Sequence, residues 1–235
     1  MPAGICWALL VAAILNLDRL ALGQNAFWRP LVAGAAMGAI LGQPKLGLTL
    51  GLWVEVLWLG RPPLGGAIVP NGALAVSAAM VGLTLCLSFL GTAPDPHKPL
   101  APLAMALIVP LAHYMTLIEP ATRLWGLKTH DRLTKALEGD RPAGLLGPNL
   151  RAFGLTFLAA LFLTVFGAII VALIAVITVS SFPTRFWLAM EKLQTLIPLL
   201  CLAYMGMGLH RRKLGYYAMA TAILLASFSL LSWAL

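Results

Sequence analysis

The sequence has little charge. Only 10% of its 235 residues are Asp, Glu, Lys or Arg, whereas 60% are hydrophobic. Soluble domains carry about 25% charged residues, so the composition excludes an ordinary soluble protein and indicates a membrane protein. Residues 153–181 and 214–235 contain no charge at all, and each run reaches the about 20 apolar residues that one transmembrane helix needs. The runs do not alternate as the strands of a membrane barrel do. We therefore expect an all-α, polytopic transmembrane protein.

Cysteine, histidine and catalytic sequence motifs are also scarce. The three cysteines, Cys6, Cys86 and Cys201, stand far apart in apolar sequence, which is typical of buried free thiols. The four histidines lack the spacing of a metal site. The chain has no Walker loop, nucleophile elbow or HExxH motif. We therefore expect no metal and no cofactor, and the sequence excludes a self-sufficient pump or hydrolase.

The charges that are present give a net charge of +8, and most of the basic excess flanks apolar runs. The first basic cluster lies within residues 119–151 and consists of Arg123, Lys128, Arg132, Lys135, Arg141 and Arg151. The second cluster is residues 211–213. Basic residues beside transmembrane helices favour the cytoplasmic side, so we expect 119–151 to be a basic cytoplasmic loop. This placement favours the lipid bilayer, and not nucleic acid, as the partner of the positive charge.

The two basic clusters also predict how the second half crosses the membrane. From the cytoplasmic loop the chain should cross outward through residues 153–181, turn within 181–194 and return through 194–209. Residues 99–118 are a further candidate span. We expect residues 1–235 to form a single membrane-embedded domain.

Proline and glycine interrupt the first half, in contrast to the long helices of the second. Within residues 28–91 the chain is cut at Gln43-Pro44, at residues 60–66 and at Val69-Pro70-Asn71-Gly72. Neither of the two apolar segments before residue 60, residues 30–42 and 45–59, is a comfortable full span. Short segments at membrane depth persist only where protein or a water-filled cavity covers their free backbone groups. Such broken segments often form the binding site of a transporter, so we predict a broken or re-entrant region at 28–91.

Small residues recur every fourth position in this region. Gly34, Gly38 and Gly42 share one helix face, and so do Gly47, Gly51 and Glu55. If Gln43-Pro44 is the turn of an antiparallel hairpin, the two stripes meet as small-xxx-small contacts, with 42 opposite 47, 38 opposite 51 and 34 opposite 55. Glu55 would then face inward, within reach of Arg29. We predict that Glu55 and Arg29 approach each other.

Glu55 is the most conspicuous polar residue, because a carboxylate at membrane depth costs on the order of 3 kcal/mol. One hypothesis is a structural ion pair with Arg29 or Arg61. The other is that Glu55 accepts hydrogen bonds from the hydroxyls of a polar solute, since bonds to an ionised acceptor are about twice as strong as neutral ones. Trp58, three residues on, suits stacking on a pyranose or anchoring at the membrane interface.

Other polar residues allow two interpretations as well. Asn71 offers a donor and an acceptor to a solute, or it is simply part of an Asn-Gly turn. Trp53 is more typical of an interface anchor. Asp18 and Arg19, which follow the first apolar run, are interpreted as a membrane-edge pair.

The order of these residues resembles a known family. Residues 29–76, RPLVAGAAMGAILGQPKLGLTLGLWVEVLWLGRPPLGGAIVPNGALAV, are similar to the signature region of the IIC membrane subunit in the mannose/fructose/sorbose family of the bacterial phosphoenolpyruvate-dependent sugar phosphotransferase system (PTS). The segment LDRLALGQ, residues 17–24, also fits the first turn of that family. Two positions depart from it, because Gln43 and Asn71 stand where many members have aspartate.

The resemblance implies a function and its partners. A IIC subunit works with a second membrane subunit, IID, as an oligomer in the bacterial inner membrane to admit a hexose. Soluble IIB and IIA proteins phosphorylate the sugar through their own histidines. By the family pattern, Glu55 and Asn71 shape the sugar site, while Gly65, Gly66 and Pro70 shape the re-entrant backbone. We add Trp58 and Arg29 as candidate substrate-binding residues.

Two other classes of function remain open from the sequence. One is a secondary transporter that moves an unmodified solute and uses Glu55 for proton coupling, since an apolar site raises a carboxyl pKa. The other is a membrane scaffold whose broken segments only pack against a partner.

Overall fold

The computed structural model describes residues 2–20, 25–60, 68–91, 99–138 and 146–208. Within these ranges the chain is helical and contains no strand, which confirms the all-α prediction. The helices, in chain order, are α1 (Pro2–Leu20), α2 (Pro30–Ile40), α3 (Pro44–Leu59), α4 (Gly72–Leu90), α5 (Leu100–Met115), α6 (Ile118–Glu138), α7 (Leu146–Ser181) and α8 (Thr184–Gly208).

Helix length separates spanning helices from short ones. Four apolar helical segments among the described residues are long enough to cross a membrane: Gly72–Leu90, Leu100–Lys128, Asn149–Ser181 and Thr184–Met205. By contrast, α2 has 11 residues and α3 has 16. At 1.5 Å per residue these are about 17 and 24 Å long, less than the about 30 Å of a bilayer core. The two short helices α2 and α3 therefore lie before Gly72, whereas α4 is one of the helices long enough to span the membrane.

Helix α4 forms the centre of the described fold and packs closely against α7. Its residues are almost all buried. A Cβ added at Gly82 would lie 2.6 Å from the Ala168 carbonyl oxygen and 2.7 Å from the Val171 Cβ. Gly167 of α7 faces α4 in turn, because a Cβ there would lie 3.1 Å from the Ala78 Cβ. Small residues thus let the two backbones approach, as in other membrane helix pairs.

The connection after α7 differs from the prediction. Only Phe182 and Pro183 lie outside helix, and α8 begins at Thr184, so the return starts about ten residues before the predicted 194. The predicted start followed the charged residues Arg185, Glu191 and Lys192. These side chains lie on the exposed surface of α8, so the helix can carry them without burying charge.

The basic segment 119–151 is largely helical. Its described residues belong to α6 and to the beginning of α7, and Lys128, Lys135 and Arg151 are exposed. The predicted span 99–118 is α5 and continues into α6 after a break at residues 116–117. The second basic cluster at 211–213 and the apolar run 214–235 lie outside the described residues.

Candidate solute-binding site

The glycine stripes of α2 and α3 meet face to face. A Cβ added at Gly34 would lie 2.9 Å from the Gly51 Cα, and one at Gly38 would lie 2.9 Å from the Gln43 carbonyl oxygen. Gly47 faces the backbone of Gly34 and Gly38 in the same way. The predicted antiparallel hairpin is therefore confirmed, and its close packing depends on the absence of side chains.

The register of this hairpin differs from the prediction by about one helical turn. Gly34 lies opposite Gly47 and Gly51, and Gly51 approaches the Pro30 carbonyl oxygen. The cause is the turn itself, which is centred on Gly42 and not on the bond between Gln43 and Pro44. Gly42 has φ +70°, a left-handed conformation that glycine adopts without strain. Pro44 is already the first residue of α3, the helix position that proline prefers.

Arg29 and Glu55 form the predicted ion pair. Arg29 Nη1 lies 2.5 Å from Glu55 Oε1, and the Leu31 backbone N–H donates to Glu55 Oε2 at 3.4 Å. The Glu55 side chain is 14% exposed and that of Arg29 is 46% exposed. Glu55 therefore faces the start of α2, and not Gly34 as predicted, because of the register difference. The carboxylate is largely enclosed, while its partner reaches the surface.

Asn71 is fully buried at the N-cap of α4. Its side-chain Oδ1 accepts a hydrogen bond from the Leu74 N–H at 3.3 Å, which is the usual way that asparagine caps a helix. Its Nδ2 donates to Asn16 Oδ1 on α1 at 2.8 Å. Its backbone N–H donates to the Ala112 carbonyl oxygen on α5 at 3.0 Å. Asn71 thus joins three helices, and its donor and acceptor both have partners within the protein.

The predicted re-entrant residues are only partly described. Pro70, directly before the cap, is buried in the non-helical segment at residues 68–71. Gly65 and Gly66 lie outside the described residues.

Trp58 lies inside the protein beside the start of α4. It is 8% exposed, and its ring makes edge contacts with His113 at 5.3 Å and Tyr204 at 6.2 Å between centroids. A Cβ added at Gly72 would lie 3.3 Å from Trp58 Cδ1 and 2.9 Å from Pro30 Cγ. The start of α2, the end of α3 and the start of α4 therefore converge at Gly72. Two of the predicted site residues, Trp58 and Asn71, therefore lie beside this point.

Trp53 is not an interface anchor in this structure. It is only 6% exposed, whereas an anchoring tryptophan places its ring among the lipid headgroups. It forms part of the core at α3 instead.

A buried ion pair at the end of α1 was not predicted. Arg19 Nε donates to Glu119 Oε1 at 2.6 Å, and Arg19 Nη2 donates to the Val69 carbonyl oxygen at 2.5 Å. The Arg19 and Glu119 side chains are 7% and 6% exposed. The Arg19 guanidinium also lies 4.9 Å from the Trp28 ring centroid, within cation–π range. This pair joins α1 to α6, and Arg19 also holds the non-helical segment directly before Asn71.

Asp18 and Arg19, interpreted from the sequence as a membrane-edge pair, bind different partners in the structure. Asp18 is 5% exposed and accepts from the backbone N–H groups of Asn25 and Phe27 at 3.0 and 2.9 Å. Adjacent residues on a helix do not face each other, whereas Asn16 and Arg19, three apart, share a face. The spacing of Asn16 and Arg19 and the isolated carboxylate of Glu119 were the only sequence signals of the polar contacts around Arg19.

Three buried donors around residues 69–72 have no hydrogen-bond acceptor among the described residues. They are Asn16 Nδ2, Arg19 Nη1 and Trp58 Nε1. Each belongs to a side chain that contacts this segment: Asn16 at Asn71, Arg19 at Val69 and Trp58 at Gly72. Buried polar side-chain atoms are normally hydrogen-bonded. We call the three the donor triad.

Comparison with known proteins gives a family over nearly the whole chain. The model of the family described as "PTS system sorbose-specific iic component" matches residues 4–232.

Individual relatives match over shorter stretches. The chain is 43% identical over 53 residues to the PTS system sorbose-specific EIIC component of Lacticaseibacillus casei, covering 23% of this chain and 19% of that protein. It is 36% identical over 66 residues to the mannose-specific EIIC component of Escherichia coli K12, covering 28% and 24%. It is 33% identical over 86 residues to a putative N-acetylgalactosamine permease IIC component 2 of the same strain, covering 37% and 61%. The matched stretches thus span less than two thirds of these relatives.

Two solved structures match this chain to different degrees. One, titled "Structure of membrane protein", has a TM-score of 0.61 at 20% identity and is covered over 96% of its length by the whole of this chain. The other, a mannose transporter ManYZ in complex with microcin E492, has a TM-score of 0.46 at 23% identity, covering 100% of this chain and 86% of that one.

Proposed function

This chain belongs to the family of sorbose-specific IIC components of the PTS, and from that premise we propose that it binds a hexose and carries it across the bacterial inner membrane while partner subunits phosphorylate it. The partners are a IID membrane subunit and soluble IIB and IIA phosphocarrier proteins. The sugar belongs to the mannose, fructose and sorbose group. The family match over residues 4–232 supports this class of function.

The observation that carries the proposal is the convergence of interrupted helices at Gly72. Helices α2 and α3 are too short to span a bilayer. The first residue of α2 and the last turn of α3 lie beside the buried start of α4. Non-helical backbone at membrane depth is tolerated where it is buried in protein or lines a cavity. In transporters, such interruptions near the midplane form the substrate site.

Glu55 and Arg29 have distinct roles in this proposal. A carboxylate has about four acceptor positions, and in this protein Glu55 uses one on Arg29 and one, at the long distance of 3.4 Å, on Leu31. Glu55 can therefore accept hydrogen bonds from sugar hydroxyls while remaining paired. The half-exposed Arg29 compensates the charge and can turn toward a ligand.

Asn71 and Trp58 form the other side of the proposed site. Asn71 fixes the start of α4 against α1, and Trp58 presents an indole beside Gly72. An indole and a carboxylate together suit a pyranose, which has an apolar C–H face and several hydroxyls. Pro70 supports this segment from its buried position, and we keep Gly65 and Gly66 as predicted contributors to the backbone around it.

Uptake with product analysis tests the proposal. Cells or proteoliposomes containing this chain with IID, IIB and IIA are given radiolabelled hexoses, and the internal product is separated by charge. We expect phosphorylated sugar. Accumulation of free sugar would instead identify a secondary transporter. No uptake, together with no stabilisation of the protein by any hexose, would favour a scaffold.

A further inference from the structure

The donor triad is the least explained feature of the described structure. Asn16 Nδ2, Arg19 Nη1 and Trp58 Nε1 are buried and have no acceptor among the described residues. A buried donor without an acceptor is destabilising, and more so when the group is charged. Three such atoms around a single four-residue segment indicate that an acceptor from outside the described residues completes them.

The three donors come from two helices and approach the same segment. Asn16 and Arg19 lie three residues apart on one face of α1, and their other polar atoms bind Asn71 and Val69. Trp58, on α3, contacts the next residue of the segment, Gly72. Hydrogen bonds therefore hold Asn16 and Arg19, and ring contacts with His113 and Tyr204 hold Trp58. These contacts leave Asn16 Nδ2, Arg19 Nη1 and Trp58 Nε1 without an acceptor.

The local charge favours a neutral ligand over an anion. The positive charge of Arg19 is already paired with Glu119, and the Asp18 carboxylate, one residue before Arg19, is buried nearby. Among the described residues around this segment, an added phosphate would meet no uncompensated cation. Hydroxyl and ring oxygens of a sugar carry no charge, and each can accept a hydrogen bond from an N–H group. The triad therefore suits a free sugar and not a sugar phosphate.

We propose that Asn16, Arg19 and Trp58 donate hydrogen bonds to oxygen atoms of the transported sugar, and that Asn16 and Arg19 determine which hexose is accepted. This inference rests on the proposed function and assigns two residues of α1 to its site. It also places the sugar at residues 69–72, on the side of Asn71 that faces α1.

Substitutions that remove one donor and keep one main feature of the same side chain test the inference. Asn16→Asp keeps the oxygen that accepts from Asn71, Arg19→Lys keeps the charge opposite Glu119, and Trp58→Phe keeps an aromatic ring. We expect KM for hexose uptake to rise about two- to tenfold in the Asn16 and Trp58 variants, and about tenfold or more in the Arg19 variant, whose donor is charged. Maximal uptake should stay within about twofold of the wild type.

Deoxyhexoses separate a hydrogen bond to sugar from a structural effect. In the wild type, the deoxyhexose that lacks the accepting hydroxyl should show a KM raised by a factor similar to that of the substitution. In the variant that lacks the matching donor, the same deoxyhexose should cost nothing further, because the two changes remove one interaction. A purely structural role would leave the two effects independent.

Two matched variants control for the substitutions themselves. Trp53→Phe changes another buried tryptophan of α3, and Asn149→Asp changes an exposed asparagine of α7. Neither residue contacts the segment 69–72 through an observed hydrogen bond or ring contact, so both variants should transport with unchanged KM.

The outcomes distinguish the inference from its premise. If the wild-type complex phosphorylates no hexose, the proposed function fails and the inference fails with it. If the wild type transports and KM is unchanged in all three variants, the inference alone fails, because bound water then satisfies the donors. Size-exclusion chromatography identifies any variant that does not fold. For such a variant, competition between each deoxyhexose and the labelled hexose for uptake by the wild type tests the same hydrogen bond. Equal affinity of the wild type for every deoxyhexose would overturn the inference.

Discussion

The molecule contains two arginine–glutamate pairs of the same chemistry in different surroundings. Arg19–Glu119 joins α1 to α6 with side chains 7% and 6% exposed, whereas Arg29–Glu55 joins the ends of α2 and α3 with side chains 46% and 14% exposed. A fully buried pair cannot lose one partner without leaving a desolvated charge. A partly exposed pair can exchange partners with water or a ligand. The comparison assigns a structural role to Glu119, which holds Arg19 in place, and leaves Glu55 available to a solute.

Neutralising Glu119 should give the largest loss of stability. In Glu119→Gln the Arg19 charge stays buried without a counter-charge, which typically costs about 3–5 kcal/mol. The segment that Arg19 holds at Val69 would loosen as well. We expect a lower yield of monodisperse protein in detergent and a clearly lower Tm. The control is Glu138→Gln, at the exposed end of α6, which should keep the wild-type Tm. Equal Tm values in the two variants would show that the buried pair is not a structural clamp.

The hairpin that positions Glu55 should be sensitive to a single methyl group. In Gly34→Ala the new Cβ would lie 2.9 Å from the Gly51 Cα, so α2 and α3 must separate, at a cost of about 1–3 kcal/mol. Gly154→Ala on α7 is the matched control, because nothing lies within 4 Å of its added Cβ and alanine favours a helix. We expect Gly34→Ala to lower the Tm and Gly154→Ala to preserve or raise it. Unfolding in detergent with a thiol-reactive dye measures both, and a Gly34 variant as stable as the Gly154 variant would contradict the observed register.

Removal of the cap of α4 should have a smaller effect. Asn71→Ala loses the bond to Asn16 and the cap on the Leu74 N–H, together about 1–2 kcal/mol. Asn71→Asp keeps the cap and adds an anion at the N-terminus of a helix, which is a favourable position. We therefore expect the aspartate variant to be the more stable of the two by Tm. The opposite order would mean that burying the new carboxylate costs more than the cap contributes.

The sequence was informative where interactions are local or periodic. The apolar runs predicted the helices, and the four-residue glycine period predicted the antiparallel contact of α2 with α3. The Arg29–Glu55 pair followed because a hairpin brings residues 26 apart together. The register was wrong because it depends on the conformation of one residue, Gly42. The Arg19–Glu119 pair joins residues 100 apart, and no period or spacing relates them until the whole bundle is assembled.

Neutralising Glu55 should change stability least and function most. Arg29 is nearly half exposed, so water can solvate it when the carboxylate is lost, and exposed pairs contribute only about 0.2–1 kcal/mol. Glu55→Gln should therefore insert into the membrane and unfold close to the wild-type Tm, yet take up little or no hexose if the carboxylate accepts sugar hydroxyls. Glu191→Gln, an exposed carboxylate on α8, should transport normally. The decisive quantity is the ratio of lost uptake to lost stability, which should be large for Glu55 and small for Glu119. A Glu55→Gln variant with normal uptake would remove Glu55 from the site and leave its pair with Arg29 with a structural role only.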